Sequence, residues 1–185
     1  MDKPKKNLAF LLGITPDLAF AAGNVALSLY RHMKTRDYDV IVLCSELLEN
    51  DRKALESIPH VQVRSFSLPE DFVNIMLERI PESSRFRSRK ALMCFCHFEV
   101  FSLLDEYKYA VWLDADISVQ RDLSSITEYA PFGLSPDTPW RVKDQFSRPV
   151  EGYDMDVEGL CTAVMLADDS LPYRKIYAWL YEKAV

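Results

Sequence analysis

Short continuous apolar runs alternate along this chain with stretches in which apolar residues recur at helical spacing. Asn7–Leu12 (NLAFLL) reads as a strand buried on both faces. Gly13 follows, with Thr15 as an N-cap and Pro16 in a first helical turn. Leu18, Ala22, Val25, Leu29 and Met33 then recur at helical spacing, and Arg31 and Lys34 close the last turn, which predicts a helix over 17–34. Tyr38–Ser45 is a second buried strand, Leu47–Ile58 a second helix and Val61–Phe66 a third strand, this one alternating. The order strand, helix, strand, helix, strand predicts a parallel sheet with helices on its faces.

The rest of the pattern is looser. The region 68–89 is polar, ends basic (RFRSRK) and contains Pro69 and Pro81, predicting a loop with one short helix. The region 88–105 predicts one long apolar helix, which leads into Tyr109–Leu113 (YAVWL), a fourth buried strand. Beyond Val119, RDLSSI reads as a short turn or helix and APFGLSPD as a strand ending near Asp137. Pro139–Asp156 is expected to be a loop, Cys161–Asp168 a late strand, and Leu171–Lys183 a closing helix. The fold class expected is α/β, one domain over 1–185, with a mixed, mostly parallel central sheet of about six to seven strands.

Composition narrows the function classes. At 185 residues, 49% hydrophobic and 12% aromatic, the chain can bury a sizeable core, and 27% charged residues is ordinary for a folded domain. A net charge of −6 argues against a general nucleic-acid binder, which needs a basic face. An acidic chain that handles a phosphorylated ligand needs a metal to bridge the like charges. Cys44, Cys94 and Cys96 sit among apolar residues and read, with Cys161, as reduced thiols. Cys94, Cys96 and His97 do not have the spacing of a zinc site. The amino terminus imitates a signal peptide, but its apolar run from Leu8 to Ile14 is short and is followed by Pro16 and Asp17. The expected location is cytoplasmic, and no segment is long and apolar enough to span a membrane.

Candidate chemistry concentrates in Tyr109–Val119 (YAVWLDADISV). With 16 aspartates, chance predicts about 1.4 Asp-x-Asp pairs, and the chain has three. Asp37/Asp39 precedes a strand and Asp154/Asp156 lies in a polar segment, so both read as solvated surface charge. Only Asp114/Asp116 stands between a buried strand and another apolar run. Paired carboxylates there repel and resist desolvation unless a cation compensates them. Hard oxygen ligands suit Mg²⁺ or Mn²⁺, with phosphate oxygens and waters completing the shell. The pair falls at the carboxyl end of a strand, where open α/β sheets bind ligands.

YAVWLDADISVQRDLSSI resembles the metal-binding segment of GT-A glycosyltransferases, especially family 8, the glycogenin-like and lipopolysaccharide galactosyltransferase-like enzymes. The resemblance is specific between about Lys90 and Ile126 and spans most of the chain in element order. It implies a GT-A fold and transfer of a hexose from a nucleotide-sugar, a UDP-sugar, to a sugar or glycan acceptor, with retention of configuration. It implies Mn²⁺ or Mg²⁺ on Asp116 and Asp114, with Asp114 and Ala115 also against the donor. The loop Gly13, Ile14 and Thr15 would meet the nucleobase, His97 or Lys90 the donor, and Asp137 a sugar. Residues 1–119 would form the nucleotide-binding half and 120–185 an acceptor-side half.

Three departures stand beside the resemblance. The acidic residue usual after strand one is replaced by Gly13–Thr15, with Asp17 later. Cys161, Thr162 and Ala163 stand where an Asn is usual. The C-terminal H-x-x-G-x-x-K-P-W motif, source of the third metal ligand in the family, is not in the sequence, which leaves three expectations: a C-terminally truncated fragment, a short variant, or a domain inactive alone. WLDADIS also matches the nucleophile motif of haloacid-dehalogenase-type phosphatases, with Asp114 as nucleophile and Asp116 as general acid/base. A nucleotide-sugar-binding domain without activity is the non-enzymatic alternative.

Overall fold

The computed structural model describes residues 4–84, 87–146 and 148–184, with the side chains of Arg89 and Lys90 outside that description. The chain opens with β1 (Lys6–Gly13), α1 (Ala19–His32), β2 (Tyr38–Cys44), α2 (Glu49–Glu56) and β3 (Val61–Ser65). α3 (Glu70–Arg79) precedes a layer made of α4 (Arg89–Leu92), a 3-10 segment (Met93–Phe98) and α5 (Glu99–Ser102). β4 (Tyr107–Leu113), β5 (Phe132–Arg141), α6 (Val142–Gln145), β6 (Glu158–Asp168) and α7 (Tyr173–Lys183) follow. The strands form one six-stranded sheet in the order β3-β2-β1-β4-β6-β5. β3, β2, β1 and β4 are parallel, β6 is antiparallel to β4, and β5 is antiparallel to β6. This is the mixed, mostly parallel α/β architecture that the pattern predicts.

Period-two alternation sorts each central strand onto two cores. Leu8, Phe10 and Leu12 of β1, Val40 and Val42 of β2 and Val111 and Leu113 of β4 face α1 and α2. Ala9 and Leu11, Ile41 and Leu43, and Ala110 and Trp112 face the α4–α5 layer and α7. Helix α1 also holds the segment that follows β4. The buried Ser28 hydroxyl donates to the Val25 carbonyl at 2.7 Å and accepts the Val119 N–H at 3.0 Å.

The predicted long helix over 88–105 is broken instead. Ser88 caps α4 by accepting the Ala91 N–H at 3.0 Å, and the winding then tightens through Met93–Phe98. Several neighbours claim this segment at once: Phe95 packs edge-on against Phe72, Phe98 against Tyr181, and Cys96 is buried over β1. No single helical stripe serves all those directions, and tertiary packing overrides the local preference. Three residues per turn place Cys94 directly above His97.

Two other expectations shift. The region 68–89 carries a helix of ten residues, α3. The expected loop over 139–156 begins as the end of β5 and continues as α6. β5 is an edge strand whose pairing slips between Pro136 and Arg141, as prolines lacking an N–H allow.

Gly13 ends β1 because nothing larger fits. A Cβ there would lie 2.0 Å from Cys96 Sγ and 2.8 Å from Trp112 Cη2. Gly13→Ala is expected to destabilise the fold by about 3 kcal/mol. Adding Cys96→Ala should recover roughly half of that loss, since one of the two clashes disappears. Urea unfolding of the four proteins of this cycle checks the coupling, and strictly additive costs would refute the contact.

Helix α7 is held by a buried carboxylate. Glu99 is 8% exposed, and its Oε1 accepts the Tyr177 and Tyr181 hydroxyls at 2.8 and 2.9 Å. Its Oε2 accepts the Ser102 hydroxyl at 2.8 Å. Burial raises both tyrosine pKa values above their ordinary range. Glu99→Leu should cost about 2–4 kcal/mol, because it strands these hydroxyls without a partner. Glu99→Gln retains the shared acceptor oxygen and should cost about 1 kcal/mol or less in the same unfolding measurement.

Candidate functional site

The chain passes β1, β2 and β3 to one side and then returns to lay β4 on the other side of β1. The carboxyl ends of β1 and β4 therefore splay apart at a topological switch point, where a crevice opens. A cavity of about 750 Å³ occupies this place. Gly13, Ile14 and Thr15 line it from β1, Asp114 and Ala115 from β4, and His97 from the layer above. Six sequence-stated candidates thus meet in one cavity, although about a hundred residues separate the two strands.

The aspartate turn is pinned on both sides. The Asp114 N–H donates to the Ala163 carbonyl at 2.9 Å, which fixes it to β6. The Val119 N–H is held by Ser28 of α1. Alternation along β4 places Asp114 on the same face as Trp112, and the indole N–H donates to Asp114 Oδ1 at 2.8 Å. Asp116 is exposed and is not among the residues lining the cavity. The apolar run after the pair forms no strand at 117–119, although Val119 is buried.

Thr15 does not act as the side-chain cap that its position suggests. It precedes the 3-10 turn Pro16–Leu18, but its Oγ1 is buried without a hydrogen-bond partner among the described residues. His97 Nδ1 lies against the Cys94 carbonyl, which can only accept, so Nδ1 carries the proton and Nε2 keeps its lone pair. Burial lowers the His97 pKa from its ordinary value, favouring this neutral form. Burial likewise pushes the Cys96 thiol up to about 12, so Cys96 is a packing group here.

The remaining candidates stand apart. Asp137 lies on β5, outside the cavity lining, and accepts the Gln145 amide at 3.1 Å. The Lys90 side chain lies outside the described residues. Of the two pairs read as surface charge, Asp39 accepts the Tyr107 hydroxyl at 2.7 Å and Asp156 pairs with Lys143 at 2.7 Å. Sequence reasoning missed Trp112, Cys94 and Thr162, which also line the cavity. The signal for Trp112 was present, two residues before Asp114 on a strand; Thr162 depends on how β6 pairs.

The cavity lining offers a hard cation one carboxylate, that of Asp114; Asp116 follows two residues on, exposed and outside the lining. Asp114 has one oxygen engaged by Trp112, and Asp116 is free to turn. Among the described residues no group of three His, Cys, Asp or Glu side chains could hold a metal ion. The donors fit an ion that takes its other ligands from phosphate oxygens and water. A second, mostly apolar cavity of about 430 Å³ shares His97 and Thr162 with the first and reaches under α7.

Several solved structures share this fold. The WbbM bifunctional glycosyltransferase, in an apo structure, superposes with a TM-score of 0.64 at 17% identity, covering 97% of this chain and 35% of that one. The galactosyltransferase LgtC, in complex with donor and acceptor sugar analogues, gives 0.65 at 13% identity, covering 96% and 66%. Core-mannan synthase A from Aspergillus fumigatus, in a Mn/GDP form, gives 0.58 at 12% identity, covering 98% and 66%. The chain thus spans from about a third to just under two thirds of these proteins' lengths. At such identities the likeness shows the fold, that of GT-A glycosyltransferases. No curated protein sequence matches the chain. The family model for glycosyl transferase family 8 matches residues 10–133, from within β1, through the Asp114 turn, to the start of β5. The chain therefore belongs to glycosyl transferase family 8.

Proposed function

We propose that this chain transfers a hexose from a nucleotide-sugar, a UDP-hexose, to a sugar or glycan acceptor, with retention of configuration and with Mn²⁺ or Mg²⁺ at Asp114 and Asp116. The observation that carries this reading is the meeting of Asp114 with the Gly13–Thr15 loop in one cavity of a family 8 chain. The cavity has the size of a small-molecule site. In this reading residues 1–119 hold the nucleotide and 120–185 belong to the acceptor side. Family membership supports this reading of Asp114 over the phosphatase alternative. A cytoplasmic location is part of the proposal. Among the described residues no helix is long and apolar enough to cross a membrane.

The roles follow from the local chemistry. A divalent ion at this place supplies Lewis-acid help to a departing diphosphate. Asp114 and Asp116 would offer it oxygen ligands, and its charge would compensate theirs. The glycine at 13 lets Cys96 and Trp112 close against β1 and form the wall that the ligand meets. The Thr15 hydroxyl, buried without a partner, gains one from a bound base or ribose. His97 Nε2 accepts from a ligand hydroxyl, since Nδ1 is already committed. Asp137, with Gln145 as its present partner, belongs to the sugar-contacting side.

Calorimetric titration of UDP, UDP-glucose and UDP-galactose, with Mn²⁺ and with a chelator, tests this reading. Metal should strengthen UDP binding, and Asp116→Asn should remove about tenfold or more of that gain. Asp154→Asn, at a pair outside the site, should leave binding unchanged. Equal affinity with Mn²⁺ and with chelator would overturn the metal assignment. Metal-dependent binding without sugar transfer would assign the chain a binding role alone.

A further inference from the structure

We infer that Trp112 is a positioning residue, one that presents Asp114 to the cation through a single oxygen, Oδ2. The inference rests on the reading of Asp114 as a metal ligand, but its evidence is separate. Trp112 is only 4% exposed, and a buried indole N–H needs an acceptor. Its acceptor is Asp114 Oδ1, at 2.8 Å. A bond from N–H to a carboxylate is stronger than a neutral one and directional.

The indole cannot swing away. Its six-membered ring lies so close to Gly13 that a Cβ there would come within 2.8 Å of Cη2 and 3.2 Å of Cζ3. The His97 ring meets it edge-on, with centroids 5.9 Å apart. The Asp114 main chain is tied to Ala163 of β6. Backbone and Oδ1 are thus both fixed, and Oδ2 is the oxygen left to a ligand. Asp116, exposed and two residues on, has no such support among the described residues. The pair is therefore asymmetric, with one preorganised carboxylate and one that closes on the cation after it arrives. Preorganisation spares Asp114 the rotamer freedom that it would otherwise lose on binding.

Two measurements test this. The chain has three tryptophans, Trp112, Trp140 and Trp179, and the last two are 56% and 54% exposed. In a ¹⁵N spectrum of the indole region, one N–H should exchange slowly with solvent, vanish in Trp112→Phe, and lose its protection in Asp114→Ala. Three fast-exchanging indoles in the unmodified chain would overturn the hydrogen bond, whatever the protein binds. The second measurement titrates UDP into Trp112→Phe, which retains an aromatic ring but no N–H, with Mn²⁺ and with chelator. The metal-dependent gain, the ratio of UDP affinity with Mn²⁺ to that with chelator, should fall about tenfold. An unchanged gain, or a matching fall in both affinities, would overturn positioning while leaving the proposed function standing. Absence of any Mn²⁺-dependent UDP binding in the unmodified chain would overturn both. A thermal melt of each variant separates a lost fold from a lost bond.

Discussion

The lateral pairing of β1 with β4 is the constraint on which the site depends. It sets Leu11 beside Trp112 and Phe10 beside Val111 in parallel register, across about a hundred residues of chain. Parallel pairing requires crossovers, and the helices that make them cover both faces of the sheet. The strand order reverses at β1, so two loops diverge above its carboxyl end and leave a crevice there. Shift the register by one residue and Asp114 would turn with Trp112 to the opposite face, away from His97.

Close approach is the second theme. The layer above the crevice rests on β1 through Cys96, which sits where any side chain at Gly13 would be. Trp112 fills the same corner and hands its N–H to Asp114. One packing contact and one hydrogen bond therefore share a single side chain, and the floor of the cavity and its carboxylate are built together. The tight winding of Met93–Phe98 belongs to this corner. It lets Cys96 reach the sheet while Cys94 and His97 both line the cavity.

The antiparallel strands finish the arrangement. β6 lies against β4 and supplies the carbonyl that holds the Asp114 main chain, and its Thr162 lines the cavity. β5 lies at the sheet's edge, where Gln145 joins Asp137 to the Leu160 backbone. Glu99 ties α7 to α5 through two tyrosines, on the same face as His97. These contacts join the C-terminal strands and α7 to the parallel part of the sheet and the layer on its face.

The sequence by itself determined the alternation of strands and helices, the parallel character of the first strands, and Asp114/Asp116 as the pair worth attention. Those readings rest on local periodicity and on the cost of carboxylates beside a buried strand, and both are properties of short windows. The tertiary structure alone decided which residues became neighbours. It broke the apolar stretch before β4, because Phe95, Cys96 and Phe98 had to satisfy neighbours in different directions. It turned the Thr15 hydroxyl away from capping and set Asp137 against Gln145 instead of in the cavity. It also brought Trp112 into the site, although its place two residues before Asp114 was legible. The physical reason is the same in each case: propensity acts over a few residues, whereas packing and hydrogen-bond satisfaction are settled between segments far apart in the chain.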